Sequence, residues 1–75
     1  MDEQHLLEVF AQAAWEVDHK KFDGITMDTR IDALGIDSVA LYEIFGVVEE
    51  ELDLILEDDE LANVATLRDL KNLIA

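Results

Sequence analysis

Ser38 is the residue of this chain whose position is best suited to chemistry. It stands in the run Leu34-Gly35-Ile36-Asp37-Ser38-Val39, and an apolar pattern of helical period follows at once. A serine at the start of a helix has an exposed hydroxyl, and the backbone N–H groups beside it have no partner within the helix. Because such a site favours a negative group, this hydroxyl is suited to carry a phosphate ester.

Catalysis by Ser38 itself is not indicated. A serine nucleophile needs a positioned base beside it, and neither His5 nor His19 has the sequence context of a triad. The chain also has no Gly-x-Ser-x-Gly elbow. We therefore interpret Ser38 as an acceptor that another enzyme modifies. The plainer alternative is that Ser38 or Asp37 only caps the helix.

Helices are the elements that must position this serine. The spacing of apolar residues predicts a first helix from Met1 to about Asp18. Its apolar arc comprises Leu6, Leu7, Val9, Phe10, Ala13, Ala14 and Val17. Trp15 falls on the polar side, which predicts either partial cover by the following loop or contact with a partner. A long connection from His19 to Asp37 follows, which we expect to be anchored to the core by Ile25, Ile31 and Leu34.

The second half of the chain predicts three more helices. The second helix runs from Ser38 to about Leu52, with a core face of Leu41, Ile44, Phe45, Val48 and Leu52. A short helix is expected from Glu57 to about Asn63. Thr66 and Asp69 have the spacing of a capping box at the start of a last helix. The predicted fold is an all-α four-helix bundle of three main helices and one short helix, with a long first loop.

Composition limits the class of protein and its partners. The 75 residues, 51% of them hydrophobic, suit a single domain, which we place at residues 1–75. The net charge of −14, with no base between Arg30 and Arg68, argues against nucleic acid or an anionic membrane as partner. The acidic N-terminus and the lack of a long apolar run favour a cytoplasmic protein, expected to be a monomer. The chain has no cysteine and no clear set of metal ligands.

The motif Leu-Gly-x-Asp-Ser-Val at residues 34–39, opening an acidic helix, resembles the acyl carrier protein family. The resemblance extends from about Ile31 to Ile74, including the Glu49-Glu50-Glu51-Leu52 end of the helix, and more loosely over the first helix. It implies a fold of the acyl carrier type and a covalent 4′-phosphopantetheine group on Ser38. The thiol of that arm would carry acyl intermediates in polyketide, fatty-acid-like or other specialised biosynthesis, and the chain would not be an enzyme.

The resemblance also implies roles for other residues. Asp37 matches the acid that helps to place Mg²⁺ for the phosphopantetheinyl transferase, a role that suits a carboxylate. The second helix matches a recognition helix for acyltransferases, ligases and synthases that have basic docking patches. Its matching surface comprises Val39, Glu43, Gly46, Glu49 and Glu50.

Two positions depart from many fatty-acid carriers and leave the cargo open. Ala40 stands where those carriers have an acid, and Gly46 stands where they have a larger apolar residue. Both changes argue against a housekeeping fatty-acid carrier and leave a carrier for polyketide or other specialised synthesis more open. One alternative is an aminoacyl or peptidyl carrier, although Asp37 stands where peptidyl carriers often have histidine. Another is an unmodified acidic helical adaptor that binds a basic protein surface.

Overall fold

A computed structural model describes residues 2–74 of the chain, and its regular structure is helical. Helix α1 spans Glu3–Asp18, α2 spans Ser38–Leu52, α3 spans Asp58–Leu61 and α4 spans Leu67–Ile74. A 3₁₀ helix, Ile31–Leu34, lies between α1 and α2. The predicted bundle of three main helices and one short helix is therefore confirmed. Within residues 2–74, every helix is too short or too polar to span a bilayer.

Helix α1 follows the predicted apolar pattern. It begins after Asp2, whose side chain accepts a hydrogen bond from the Gln4 N–H at 3.1 Å. The predicted start at Met1 lies outside the described residues. Five members of the arc are buried, namely Leu6, Val9, Phe10, Ala13 and Ala14, and Leu7 and Val17 pack partly buried against the core.

Trp15 is partly covered by the residues that follow α1. Its ring meets the His19 ring edge-on, with centroids 5.1 Å apart, and the Lys21 Nζ lies 5.3 Å from the Trp15 ring centroid. The side chain keeps 42% of its surface exposed. Cover by the following loop is thus confirmed, and the remaining indole surface faces solvent.

The core lies chiefly between α1 and α2, and α4 closes it. Its largest fully buried side chains are Leu6, Phe10, Ile44, Val48, Leu67 and Leu70. Each such burial stabilises the fold by roughly 1.5–3 kcal/mol. On the predicted core face of α2, Phe45 is also buried, whereas Leu41 and Leu52 are half-buried. This packing fixes the direction of α2 and hence the place of its first residue.

The connection between α1 and α2 is more ordered than its sequence suggests. Ile31 is buried as expected, and Met27, which the pattern did not single out, is buried as well. The Ile31 N–H donates to the Ala65 carbonyl at 2.9 Å, and the Arg68 N–H donates to the Met27 carbonyl at 2.8 Å. The second half of the connection is therefore tied to the start of α4, which holds the approach to Ser38 in place.

The third helix is shorter than predicted. The sequence suggested Glu57 to Asn63, but α3 is a single turn, Asp58–Leu61, with Glu57 as its N-cap. The chain then continues in i to i+3 turns, in which the Asn63 N–H donates to Glu60 and the Val64 N–H donates to Leu61, both at 3.1 Å. Leu61 is the buried anchor of this segment.

The predicted capping box at the start of α4 is present. The Asp69 N–H donates to Thr66 Oγ1 at 3.3 Å, and the Thr66 N–H donates to Asp69 Oδ2 at 3.1 Å. The same carboxylate oxygen accepts the Ala65 N–H at 3.0 Å. Aspartate thus fills the place that glutamate usually takes in this motif.

Candidate modification site and docking face

A turn at Gly35 brings the chain to the start of α2. Gly35 has φ +74° and ends the 3₁₀ helix in the left-handed region. A Cβ at this position would meet nothing within 4 Å, so the backbone conformation alone favours glycine here. Asp37 then returns to extended backbone and becomes the N-cap of α2.

Asp37, rather than Ser38, caps the helix. Its Oδ1 accepts the Ala40 N–H at 2.9 Å, and its carbonyl accepts the Leu41 N–H at 2.9 Å. The sequence had left the cap to either residue, and the geometry assigns it to Asp37. The other carboxylate oxygen of Asp37, Oδ2, accepts no hydrogen bond from residues 2–74 and remains open to an ion or a partner.

Ser38 is the first residue of α2 and is exposed. Among residues 2–74, its hydroxyl makes no hydrogen bond, and the N–H groups of Ser38 and Val39 have no acceptor. These are the groups that favour an anion at a helix N-terminus. A phosphodiester on the Ser38 hydroxyl would therefore meet open space, two free donors and the positive end of the helix dipole.

The remaining predicted partner residues lie on α2, and most of them face solvent. Val39 is 71% exposed, Glu43 and Glu50 are exposed, and Gly46 is half-buried. Tyr42, which flanks them, is 51% exposed. We call the surface formed by Val39, Tyr42, Glu43, Gly46 and Glu50 the docking face.

Glu49 differs from the other acids of α2. It is half-buried, and its Oε2 accepts the N–H of Leu56 at 3.2 Å. Leu56 itself is buried. Glu49 therefore holds the segment after α2 against the bundle, and its other carboxylate oxygen accepts no hydrogen bond from residues 2–74.

Ile55 is an exposed apolar residue that the sequence analysis did not single out. It lies just beyond α2, and 82% of its surface is exposed, more than for Val39, Tyr42 or Trp15. The signal was present in the three consecutive aliphatic residues Leu54-Ile55-Leu56. Successive side chains of an extended segment point in opposite directions, so the middle one faces away from the core.

The charge of the docking face is not neutralised by ion pairs among residues 2–74. The ion pairs of residues 2–74 are Lys20–Asp18, Arg30–Asp32, Arg68–Glu3, Arg68–Asp28 and Lys71–Glu3. None of them includes an acid of α2 or α3. The acids of α2 therefore present an uncompensated negative field to an approaching protein.

Comparison with known proteins agrees with this geometry. The family model described as "Phosphopantetheine attachment site" matches residues 6–74. The chain therefore belongs to this family of small carrier domains, whose prosthetic group is 4′-phosphopantetheine.

Two relatives are acyl carrier proteins. The tetracenomycin polyketide synthase acyl carrier protein of Streptomyces glaucescens is 34% identical over 56 residues, which cover 75% of this chain and 68% of that protein. The monensin polyketide synthase acyl carrier protein of Streptomyces virginiae is 41% identical over 44 residues, which cover 59% of this chain and 50% of that protein. This chain is thus similar to acyl carriers, and the second match spans half the length of its relative.

Proposed function

We propose that residues 1–75 form one carrier domain that holds acyl intermediates as thioesters on a 4′-phosphopantetheine arm attached to Ser38. The observation that carries this proposal is the exposed Ser38 hydroxyl at the start of α2, beside the Asp37 carboxylate and two N–H groups that have no acceptor among residues 2–74. The chain has no cysteine. When bound, the arm supplies the thiol that the chain lacks.

The chain's own residues prepare this serine for modification. The cap from Asp37 orders the first turn of α2, so the backbone that carries the exposed Ser38 side chain is held in place. The free oxygen of Asp37 is suited to an Mg²⁺ ion that a transferase brings with its substrate, because Mg²⁺ prefers carboxylate, phosphate and water oxygens. In this proposal the transferase supplies the catalytic groups and the carrier domain is not itself catalytic.

The proposed pathway is polyketide biosynthesis. The named relatives, carriers of two polyketide synthases, support this assignment. Proposed partners are a phosphopantetheinyl transferase, loading acyltransferases or ligases, and synthase enzymes, each with a basic surface for the docking face. Such an encounter is accelerated by opposite charge and slows as salt is added.

Enzymatic loading tests the attachment site. The apo protein is incubated with CoA, Mg²⁺ and a broad-specificity phosphopantetheinyl transferase, and its intact mass is measured. We expect a gain of one phosphopantetheine, which tandem mass spectrometry places on Ser38, the only serine of the chain. Ser38→Ala should gain nothing and should unfold at nearly the same temperature as wild type, because an exposed side chain is removed.

A transferase that loads another carrier in the same tube but leaves this chain unmodified would contradict the proposal. That result would favour the unmodified adaptor. In that case Glu43→Lys or Glu50→Lys should abolish partner binding, whereas Ser38→Ala should leave it intact.

A further inference from the structure

The packing of the bundle does not require glycine at position 46. Gly46 lies inside α2, and a Cβ built on it would meet nothing within 4 Å. Its φ is not positive, since Gly24 and Gly35 are the glycines with positive φ among residues 2–74. Glycine in a helix interior costs about 1 kcal/mol relative to alanine. The fold alone would therefore favour alanine here, and the reason for glycine lies outside the fold.

Gly46 is one wall of a groove at the far end of α2. The groove is lined by Gly46, Glu49, Glu50, Asp53, Leu54 and Ile55. Asp53 ends the helix in the left-handed region, with φ +53°. The Leu54 N–H donates to the Glu49 carbonyl at 3.0 Å, so the chain turns back sharply beside the last turn of α2. The missing side chain at Gly46 leaves this groove open.

The segment after α2 presents Ile55 outward at the groove. The buried Leu56 anchors the segment, and its N–H is held by the Glu49 carboxylate at 3.2 Å. Ile55 is 82% exposed as a result. The groove thus combines an exposed aliphatic side chain, an open place at Gly46 and a border of three acids, Glu49, Glu50 and Asp53.

We propose that this groove receives one large apolar side chain from a partner protein, and that Arg or Lys residues beside that side chain meet the acidic border. Acids border the groove, and no basic residue lies between Arg30 and Arg68 to neutralise them. The negative charge therefore favours a partner that carries Arg or Lys. A second copy of the chain is disfavoured by its own net charge of −14.

This inference deepens the proposed function, on which it rests, by extending the docking face past α2 to Ile55. At Gly46 this chain presents an open place rather than a side chain. The partner must then supply the apolar side chain. Gly46 and Ile55 are therefore residues that determine which partners fit.

Short peptides of defined charge test the groove without a known partner. An isotope-labelled protein is titrated with the capped peptide Arg-Phe-Arg, and amide shifts are followed by NMR. We expect saturable shifts at Gly46, Leu54 and Ile55, where the phenylalanine ring would lie. Arg-Ala-Arg tests the positive charge without the ring and Glu-Phe-Glu tests the ring with the charge reversed, and neither should produce this pattern.

Two variants and a control locate the binding. Gly46→Leu fills the groove and should weaken Arg-Phe-Arg binding about tenfold, which corresponds to about 1.4 kcal/mol. Ile55→Ser should weaken it in the same direction. Ala62→Leu places the same leucine side chain at an exposed position outside the groove and should leave binding unchanged. Gly46→Ala should raise the melting temperature, which confirms that glycine is not required by the fold.

Shifts spread over all exposed acids, or equal shifts with Arg-Ala-Arg, would overturn the groove proposal. So would unchanged binding in Gly46→Leu. Loading of wild-type Ser38 is measured separately. A protein that is loaded but shows no groove binding retains the proposed function and loses only this inference, whereas a protein that is not loaded loses the proposed function itself.

Discussion

At the scale of single residues, Asp37 combines two tasks that belong to different atoms. One carboxylate oxygen accepts the Ala40 N–H and orders the first turn of α2, and the other oxygen makes no hydrogen bond within residues 2–74. The first task is structural. The second is the one we propose for Mg²⁺ during modification of Ser38. The two tasks are separable because asparagine caps a helix about as well as aspartate but carries no charge.

Substitution of Asp37 should separate stability from loading. Asp37→Asn should keep the free energy of unfolding near the wild-type value and slow the addition of phosphopantetheine to Ser38. Asp37→Ala should slow loading as well and also lose about 1 kcal/mol of stability, because the cap is removed. Urea unfolding and the rate of mass gain measure the two effects. Equal loading rates for wild type and Asp37→Asn would exclude a role for the charge.

At the scale of elements, the start of α4 contacts both the connection between α1 and α2 and the first turn of α1. The capping box of Thr66 and Asp69 orders its first turn. The backbone of residues 65–68 pairs with the connection that leads to Ser38, and the side chain of Arg68 reaches both Asp28 and Glu3. The exposed ion pairs add little. The backbone and cap hydrogen bonds are the stronger link, since several of them are partly buried.

This capping box should make part of the stability dependent on pH. The backbone N–H of Ala65, followed by that of Thr66, lowers the pKa of the Asp69 carboxyl below its ordinary value. A lowered pKa in the folded state means that the stabilisation is fully present above about pH 3.9, the pKa in an unfolded chain. It is then lost as the pH falls through the lower folded value.

The comparison of wild type with Asp69→Asn isolates this contribution. The difference in free energy of unfolding should be constant from about pH 7 to pH 5 and should shrink below about pH 4. Urea unfolding at several pH values measures it. Asp23→Asn, at an exposed position in the first connection, is the matched control. A difference that stays constant down to pH 3 would show that the Asp69 charge is not involved.

At the scale of the whole molecule, charge opposes the compact state. The chain carries a net charge of −14, and its fold has a radius of gyration of only 10.9 Å. Among residues 2–74, no three His, Asp or Glu side chains are arranged to hold a metal ion. The acids of α2 and α3 also lack ion-pair partners there. The field that attracts basic partners is therefore also a source of repulsion within the fold.

Added salt should stabilise this protein. The screening length falls from about 30 Å at 0.01 M to about 3 Å at 1 M. The first value exceeds the longest extent of the molecule, 25 Å, and the second is far shorter than it. We expect the melting temperature to rise by several degrees over this range, since about 1 kcal/mol shifts it by roughly 4–8 °C in a domain of this size. Glu50→Gln should reduce the rise. A melting temperature independent of salt would contradict this account.

Local sequence rules predicted much of the fold. Helical periodicity predicted α1 and α2 to within about two residues, because their apolar faces repeat over several turns. The reciprocal spacing of Thr66 and Asp69 predicted the start of α4, because both partners lie within one turn. The short α3 was predicted too long, since the run Glu57-Asp58-Asp59-Glu60 favours a helix start without specifying its end.

The features of the candidate site also fall into two groups, those that the sequence determined and those that only the tertiary structure decided. The sequence by itself determined the serine at the start of an acidic helix, the absence of cysteine and the sign of the field, since these depend on residue types and near neighbours. The tertiary structure alone decided the burial of Met27, the contact of Glu49 with Leu56 and the exposure of Ile55. Each of these depends on which distant segment packs against the residue, and no local pattern contains that information.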